Sequence, residues 1–293
     1  MKVLVTGAAG FIGTHLTREL TDNGHEVVGV DIKIDALQHD LRRSENIWGL
    51  IGKHDPDVVV HLAARVGRLF GEDDIAETIA DNSGMTATVA NACGQIGVPL
   101  AYASTSEIYG DCGNTVAYEG MIPNLPHNAY GLSKRHGEEF CKLYAPDDLI
   151  IWRISMPFGP GLPAGRGRAA IVNMLYQADN RLPIPVHRGA ERSWCWIGDS
   201  VRAMRLTLDH PGVYNIGRDD ASVSMRRVAE IACDLTGAPY DLIEEVDAPA
   251  RQTVVKRLAT NKIRGFDWEP EVDLTEGMAL TLEWVRDQEP VAV

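Results

Sequence analysis

The chain is poor in positive charge. Its 28 lysines and arginines stand against 41 aspartates and glutamates, a formal net charge of −13 over 293 residues. A surplus of that sign argues against nucleic acid or an anionic membrane as a partner. It also poses a question for any anionic small molecule, which would need a local cationic patch. Cysteine is scarce as well. Cys93, Cys112, Cys141, Cys195 and Cys233 form an odd set with no CxxC pair. That excludes a disulfide framework and a zinc site, predicts no metal, and fits reduced thiols in a cytoplasm. No apolar run reaches the roughly 18 residues needed to span a bilayer. The glycine-broken N-terminus lacks the apolar core of a signal peptide. There is no internal repeat and no low-complexity linker. A soluble, cytoplasmic protein is expected.

What is present is a globular composition, 45% hydrophobic and 24% charged, in a chain long enough for one large domain or two coupled ones. Short apolar runs alternate with amphipathic stretches through the first half. Lys2–Thr6, Glu26–Asp31, Asp57–His61, Pro99–Ser104 and Leu149–Ile154 read as strands. Phe11–Asn23, Asp74–Ile96 and Asn128–Tyr144 read as helices. Strands apolar throughout, alternating with helices, predict an α/β fold with a Rossmann-type, doubly wound parallel sheet. After Ile154 the alternation stops. Ser155–Gly167 reads as a long loop, followed by helices at Ala169–Asp179, Asp199–Asp209, Ser224–Thr236 and Thr275–Asp287. The expected organisation is a cofactor-binding domain over 1–154 and a smaller C-terminal substrate-binding lobe over 155–293. Segments near 190–216 are candidates to return to the large domain.

Gly7, Gly10 and Gly13 follow the first strand and open the first helix. Glycines there allow a tight turn and close backbone approach to a pyrophosphate, and the helix N-terminus favours its charge. Asp31 ends the second strand, where a carboxylate accepts hydrogen bonds from ribose hydroxyls and repels a 2′-phosphate. NAD is thus favoured over NADP, although Lys33 stands close by. Tyr130 and Lys134 form a YxxxK motif whose spacing puts both side chains on one helix face. An ammonium there stabilises a phenolate and suits Tyr130 to accept a proton. Thr105 closes the strand upstream, placed to orient the reacting oxygen.

The GxxGxxG spacing at the extreme N-terminus resembles the extended short-chain dehydrogenase/reductase family, the NAD-dependent sugar-nucleotide epimerases and dehydratases. Asp40-Leu41, the His61-Leu62-Ala63-Ala64 segment, Asn82, Ser104-Thr105-Ser106-Glu107-Ile108-Tyr109-Gly110 and Tyr130–Lys134 fit it in order. So do Arg192–Asp199, Arg257–Lys262 and Phe266–Gly277. The resemblance covers essentially the whole chain. It implies cofactor contacts from Gly7, Gly10, Phe11, Ile12, Gly13, Asp31, Asp40 and Leu41, and further ones from Leu62, Ala63, Ala64, Asn82, Ser104, Tyr130, Lys134 and Pro157. It implies Thr105, Glu107, Tyr130 and Lys134 as catalytic residues. Arg65, Ser106, Met156, Arg192 and Arg257 are the implied substrate contacts, with Asp199 as the N-cap of the next helix.

The implied substrate is a nucleotide-diphosphate sugar, oxidised at C4, altered as the ketone, and reduced again with NAD recycled. Glu107 leans toward 4,6-dehydratase or decarboxylase chemistry, since a carboxylate there can remove the C5 proton. Ser106, however, stands where dehydratases often carry Asp. A plain 4-epimerase and a net sugar or sugar-acid dehydrogenase remain open. Met156 replaces a usual Asn that contacts the sugar nucleotide. Arg65 and Arg68 flank a VG pair and could reach a carboxylate or phosphate. A homodimer through Asp74–Ile96 and Asn128–Tyr144 is implied. The cationic patch is expected in Ser155–Ala190, which holds Arg166, Arg168, Arg181 and Arg188 against the single acid Asp179.

Overall fold

The computed structural model describes residues 1–37, 39–121, 123–145, 148–162, 170–219 and 222–288. Five strands of the first half, β1 (Lys2–Thr6), β2 (Glu26–Val30), β3 (Val58–His61), β4 (Leu100–Thr105) and β5 (Ile150–Ile154), form one parallel sheet. A sixth strand from late in the chain, Gly212–Ile216, joins it beside β5. The spatial order is Gly212–Ile216, β5, β4, β3, β1, β2. It reverses between β1 and β3, the position where such sheets open a crevice at their carboxyl ends. Every residue of β3, β4 and β5 is buried, because helices cover both faces.

One face packs on α1 (Phe11–Asp22) and on the helix Ile197–Leu206, with Leu16, Leu20, Val201, Met204, Ile263 and Trp268 in a common core. The other packs on α2 (Ser44–His54), α5 (Met85–Ile96) and α6 (Ala129–Tyr144) through Ile47, Ile51, Val89, Cys93 and Cys141. The doubly wound parallel sheet expected from the sequence is therefore present. A separate core joins the helices Ala170–Asp179, Met225–Thr236 and Leu274–Arg286 to the strand pair Ile184–His187 and Ile243–Val246. This is the smaller lobe. No described helix is long and apolar enough to cross a membrane.

Three local features depart from the sequence reading. The long helical stretch from Asp74 is broken into α4 (Ile75–Ile79), a π-helical turn (Ala80–Gly84) and α5, preceded by a short α3 (Arg68–Asp73). π-turns widen the helix by one residue and redirect a side chain; here the turn carries Asn82. Helix α2 lies in a stretch where no helix was expected. Asp199 is not an N-cap: its helix starts at Ile197. The Asp199 carboxylate instead accepts from Arg202 and from the amides of Glu271 and Val272, pinning the C-terminal segment to this helix.

Candidate active site

The glycine turn sits at the carboxyl end of β1. Gly7 has φ +72°, and a Cβ there would stand 2.7 Å from the Ala63 amide nitrogen. A Cβ on Gly13 would lie 2.1 Å from the Gly7 carbonyl oxygen. Only glycine lets these three backbones meet. Gly10 caps α1 without a side-chain hydrogen bond, and the first turn of α1 has no acidic residue. Its amides are thus open to an anion. Asp31 accepts from the Ala9 amide at 3.1 Å and from the Lys33 amide at 2.9 Å, so its carboxylate belongs to the same turn. Phe11 and Ile12 are half-buried against the core. The Pro157–Gly161 segment crosses above, tied down where His15 Nε2 meets the Pro160 carbonyl at 2.9 Å. An uncapped helix start, a glycine cradle and a carboxylate at the end of β2 fit a dinucleotide pyrophosphate and ribose.

Other segments named from the sequence are tied into the protein. Asp40 makes a two-pronged pair with Arg42 at 2.8 and 3.0 Å, and that hydrogen bonding holds its carboxyl below the usual range. Leu41 is buried among the α2 side chains. Leu62, Ala63 and Ala64 are half-buried beside the cradle, with the Ala63 amide donating to Thr6 Oγ1 at 3.2 Å. His61 lies between Thr6 Oγ1 and Thr86 Oγ1, and burial pushes its pKa down to about 3, so it is neutral. Asn82 accepts from the Arg65 amide at 2.7 Å and donates to the Arg65 carbonyl and Ser133 Oγ, both at 3.0 Å. Its amide clamps the loop after β3 to α6. The Arg65 guanidinium pairs with Glu77 and stands 3.6 Å from Asp81, turned toward α4. Ser104 gives its proton to Glu138 Oε1 at 2.6 Å.

The end of β4 and the start of α6 bring the reactive groups together. Thr105 is the last strand residue, and its Oγ1 accepts from the Glu107 amide at 3.3 Å. Asn128 caps α6 by accepting from the Gly131 amide at 2.8 Å. Gly131 lets α6 press onto this turn, since a Cβ there would lie 3.1 Å from the Glu107 Cβ. Tyr130 is half-buried in the first helical turn, while Lys134, one turn on, is 3% exposed. The Lys134 ammonium stands 4.2 Å from the centre of the Tyr102 ring, and burial pulls its pKa down to about 7. Here is a cation without water, next along the helix face from a phenol.

Glu107 is enclosed. Lys256 pairs with its Oε1, and Asn128 Nδ2 and Thr253 Oγ1 donate to its Oε2 at 3.3 and 3.2 Å. Burial works to raise its pKa, but Lys256, then Arg192 and Asn128, outweigh it and hold the carboxyl below its ordinary value. Lys256, Thr253 and Asn128 were missed from the sequence. The adjacent basic pair Lys256-Arg257 was the one available signal. Ser106 is buried and lines a small cleft with Tyr109, Lys256 and Arg257.

Arg192 is buried and gives Nη1 to the carbonyls of Glu191 and Val254. Arg257 pairs with Glu191 at 2.7 Å. Met156 occupies φ +39°, a left-handed backbone that asparagine tolerates better than methionine, and its side chain packs toward the second lobe's core. Of the cationic stretch expected over Ser155–Ala190, the structure describes Arg181 and Arg188, and both are engaged elsewhere. Arg166 and Arg168 fall outside the described residues. Arg181 caps carbonyls of Ala178 and Thr236, and Arg188 pairs with Glu245 and Asp247. Among the described residues, Lys256 and Arg192 act on Glu107, Arg257 lines the cleft beside Ser106, and Lys134 stands over Tyr102.

The sequence profile described as the NAD dependent epimerase/dehydratase family matches residues 3–217. UDP-glucuronic acid decarboxylase 6 of Arabidopsis thaliana is 28% identical over 310 residues, covering 98% of this chain and 89% of its own. A putative UDP-glucose 4-epimerase of Methanocaldococcus jannaschii is 25% identical, covering 97% and 98%. The crystal structure of a Thermus thermophilus UDP-glucose 4-epimerase in complex with NAD superposes with a TM-score of 0.87 at 26% identity, covering 98% of this chain and 99% of that one. A glycine cradle, an acidic strand end and a Tyr-Lys helix in this order are thus the apparatus of an NAD-using enzyme, and the chain belongs to the NAD-dependent epimerase/dehydratase family of extended short-chain dehydrogenases/reductases.

Proposed function

We propose that the enzyme oxidises C4 of a nucleoside-diphosphate sugar, with UDP-linked sugars first among candidates, reworks the 4-ketone, and reduces it again. What supports this reading is that α6, which carries Tyr130 and Lys134, packs against β4, the strand that ends in Thr105, with Lys134 on the ring of Tyr102 in that strand. Tyr130 accepts the 4-hydroxyl proton. Thr105 donates to the same oxygen and aims it at Tyr130. Lys134, denied water, stabilises the phenolate and is placed to reach the nicotinamide ribose. NAD, when bound, takes up the electron pair of the C4–H bond and later returns it. Gly7, Gly10 and Gly13 hold its pyrophosphate, and Asp31 its adenine ribose, which disfavours a 2′-phosphate. The relatives' names support the UDP-sugar assignment.

Glu107 favours chemistry at C5 or C6 over plain epimerisation at C4. Inverting C4 needs only rotation of the ketone, and that gives the enclosed carboxylate two residues from Thr105 no chemical step beyond its ion pair with Lys256. Incubation with UDP-, GDP-, dTDP- and CDP-sugars, read by mass analysis, separates the chemistries. Loss of water marks a dehydratase, loss of carbon dioxide a decarboxylase, and an unchanged mass an epimerase. Steady accumulation of reduced nicotinamide marks a net dehydrogenase and overturns the recycling of NAD.

The substrate lobe of this reading comprises the helices Ala170–Asp179, Met225–Thr236 and Leu274–Arg286 with their strands. Ile96, Leu143 and Tyr144 are exposed at the ends of α5 and α6, which supports a homodimer through these helices. Sedimentation at several concentrations tests it. Five unpaired cysteines support a cytoplasmic location.

A further inference from the structure

Glu107 is reached from both lobes. Its main chain belongs to the turn after β4, and Asn128 comes from the start of α6. Thr253 and Lys256 come from the segment that follows the small lobe's strand Ile243–Val246. That segment is itself fixed. The Lys256 amide donates to the Glu191 carbonyl at 3.3 Å, and its carbonyl accepts from Ser193 Oγ at 3.2 Å. Both side chains of the ion pair are largely buried, with 7% exposure for Lys256 and 14% for Glu107.

We propose that Lys256 is a positioning residue that holds Glu107 as a charged, aimed base for the proton at C5 of the 4-keto sugar. This rests on the reaction proposed above and adds to it a residue from the second lobe. In the step it supports, the C5–H bond breaks and the proton goes to a Glu107 carboxylate oxygen. The electron pair moves into the C4 carbonyl to form an enolate, whose oxygen faces Thr105 and Tyr130. A carboxylate can do this only while ionised, and burial opposes that state. The charged groups that act most on Glu107 are Lys256 and Arg192 from the small lobe, and Asn128 and Thr253 add neutral hydrogen bonds. With Lys256 gone, burial is opposed by Arg192 and the hydrogen bonds from Asn128 and Thr253, and Glu107 takes up a proton at higher pH.

The pair can be tested without substrate. Protein carrying ¹³C at glutamate carboxyls is titrated, with Glu107→Gln assigning the line. Lys256→Met is expected to move the Glu107 midpoint upward by about one pH unit or more, and Lys256→Arg to bring it back. An unmoved midpoint overturns the proposal. A second arm uses UDP-glucose and UDP-glucuronic acid in deuterium oxide, the latter read only on sugar that keeps its carboxylate, since loss of carbon dioxide itself brings a solvent deuteron to C5. It compares deuterium gained at C5 with the transient absorbance of reduced nicotinamide, which reports C4 oxidation. At a pH below both midpoints, Lys256→Met should lose C5 exchange about tenfold more than C4 oxidation, one unit of midpoint shift being a factor of ten there. The loss should shrink toward about pH 8. Equal loss of both signals, or wild-type turnover without C5 deuterium, overturns the proposal. Absence of any nicotinamide transient with either sugar counts against the proposed reaction instead, and the carboxyl titration still decides on the pair.

Discussion

Lys134 and Tyr102 meet face-on, the ammonium 4.2 Å above the ring centre, under a helix that could not lie so close without Gly137. The Lys134 side chain under it is buried, and that burial makes its charge costly. The pKa of Lys134 falls to about 7 from an ordinary 10.5 because it is buried. Between those values unfolding takes up a proton, so this group makes stability rise with pH. Below about 7 the folded state bears the full cost of a buried charge. Lys134→Met should therefore raise the melting temperature of NAD-free protein at neutral pH, while turnover is lost. Its stability should also rise less steeply than wild type from about pH 7 to 9. Thermal melts across that range check this, and parallel slopes would count against it.

Tyr130→Phe removes the proton acceptor and leaves the glycine cradle untouched. Turnover should disappear and NAD should still bind, as read by quenching of intrinsic fluorescence. Thr105→Val should lower kcat by about 10²–10⁴-fold, the usual range for a positioned proton-handling group. Normal turnover in Tyr130→Phe would remove the assignment.

The cradle makes a sterically sharp prediction. Gly13→Ala places a methyl 2.1 Å from the Gly7 carbonyl oxygen, a contact with rigid backbone. The turn must open, and NAD affinity should collapse. Gly24→Ala, at a position with open space but φ +82°, should cost about 1 kcal/mol of stability through backbone strain with no change in NAD affinity. Calorimetric titration of both variants tests the contrast.

How much of this was legible beforehand follows from the reach of each interaction. Gly7, Gly10, Gly13 and Asp31 were readable because strand–turn–helix chemistry is local. Thr105, Tyr130 and Lys134 were readable because strand ends and i, i+4 spacing are local too. Lys256 was not, because its partner Glu107 lies 149 positions away and only folding brings them together. The stretch near 190–216 was named as a candidate to return to the large domain, but Gly212–Ile216 was not read as a strand, since what makes it one is the edge of β5. Arg181 and Arg188 were misjudged because charge counted along the chain says nothing of helix ends and carboxylates that absorb it.

Acid should expose the buried network. Arg153 grips Glu138 with two hydrogen bonds at 3.0 and 2.8 Å, and both are almost wholly buried. Burial tends to raise the Glu138 pKa, but Arg153 and then Ser104 hold it below its ordinary 4.5. A depressed carboxyl contributes stability that is present above the unfolded pKa and lost as pH falls through the folded one. Stability should therefore decline as pH drops below about 4.5. Glu138→Gln, which leaves a buried guanidinium without its counter-charge, should cost about 3–5 kcal/mol and flatten that decline. Urea unfolding from about pH 7 to 3 measures both.

The same guanidinium ties early chain to late chain. Arg153 Nη1 donates to the Tyr109 hydroxyl, which donates to Asn215 Oδ1, and the Asn215 amide reaches the carbonyls of Ala117 and Ala259. Ile263 and Trp268 fill the core against α1. A ribosome that has delivered residues 1–154 has therefore delivered every cradle residue and the Tyr-Lys helix, but not the strand that satisfies their polar spine. The first 154 residues cannot complete their polar spine until Asn215 has been made. A fragment ending at Ile154 should accumulate as a loosely packed, protease-sensitive chain.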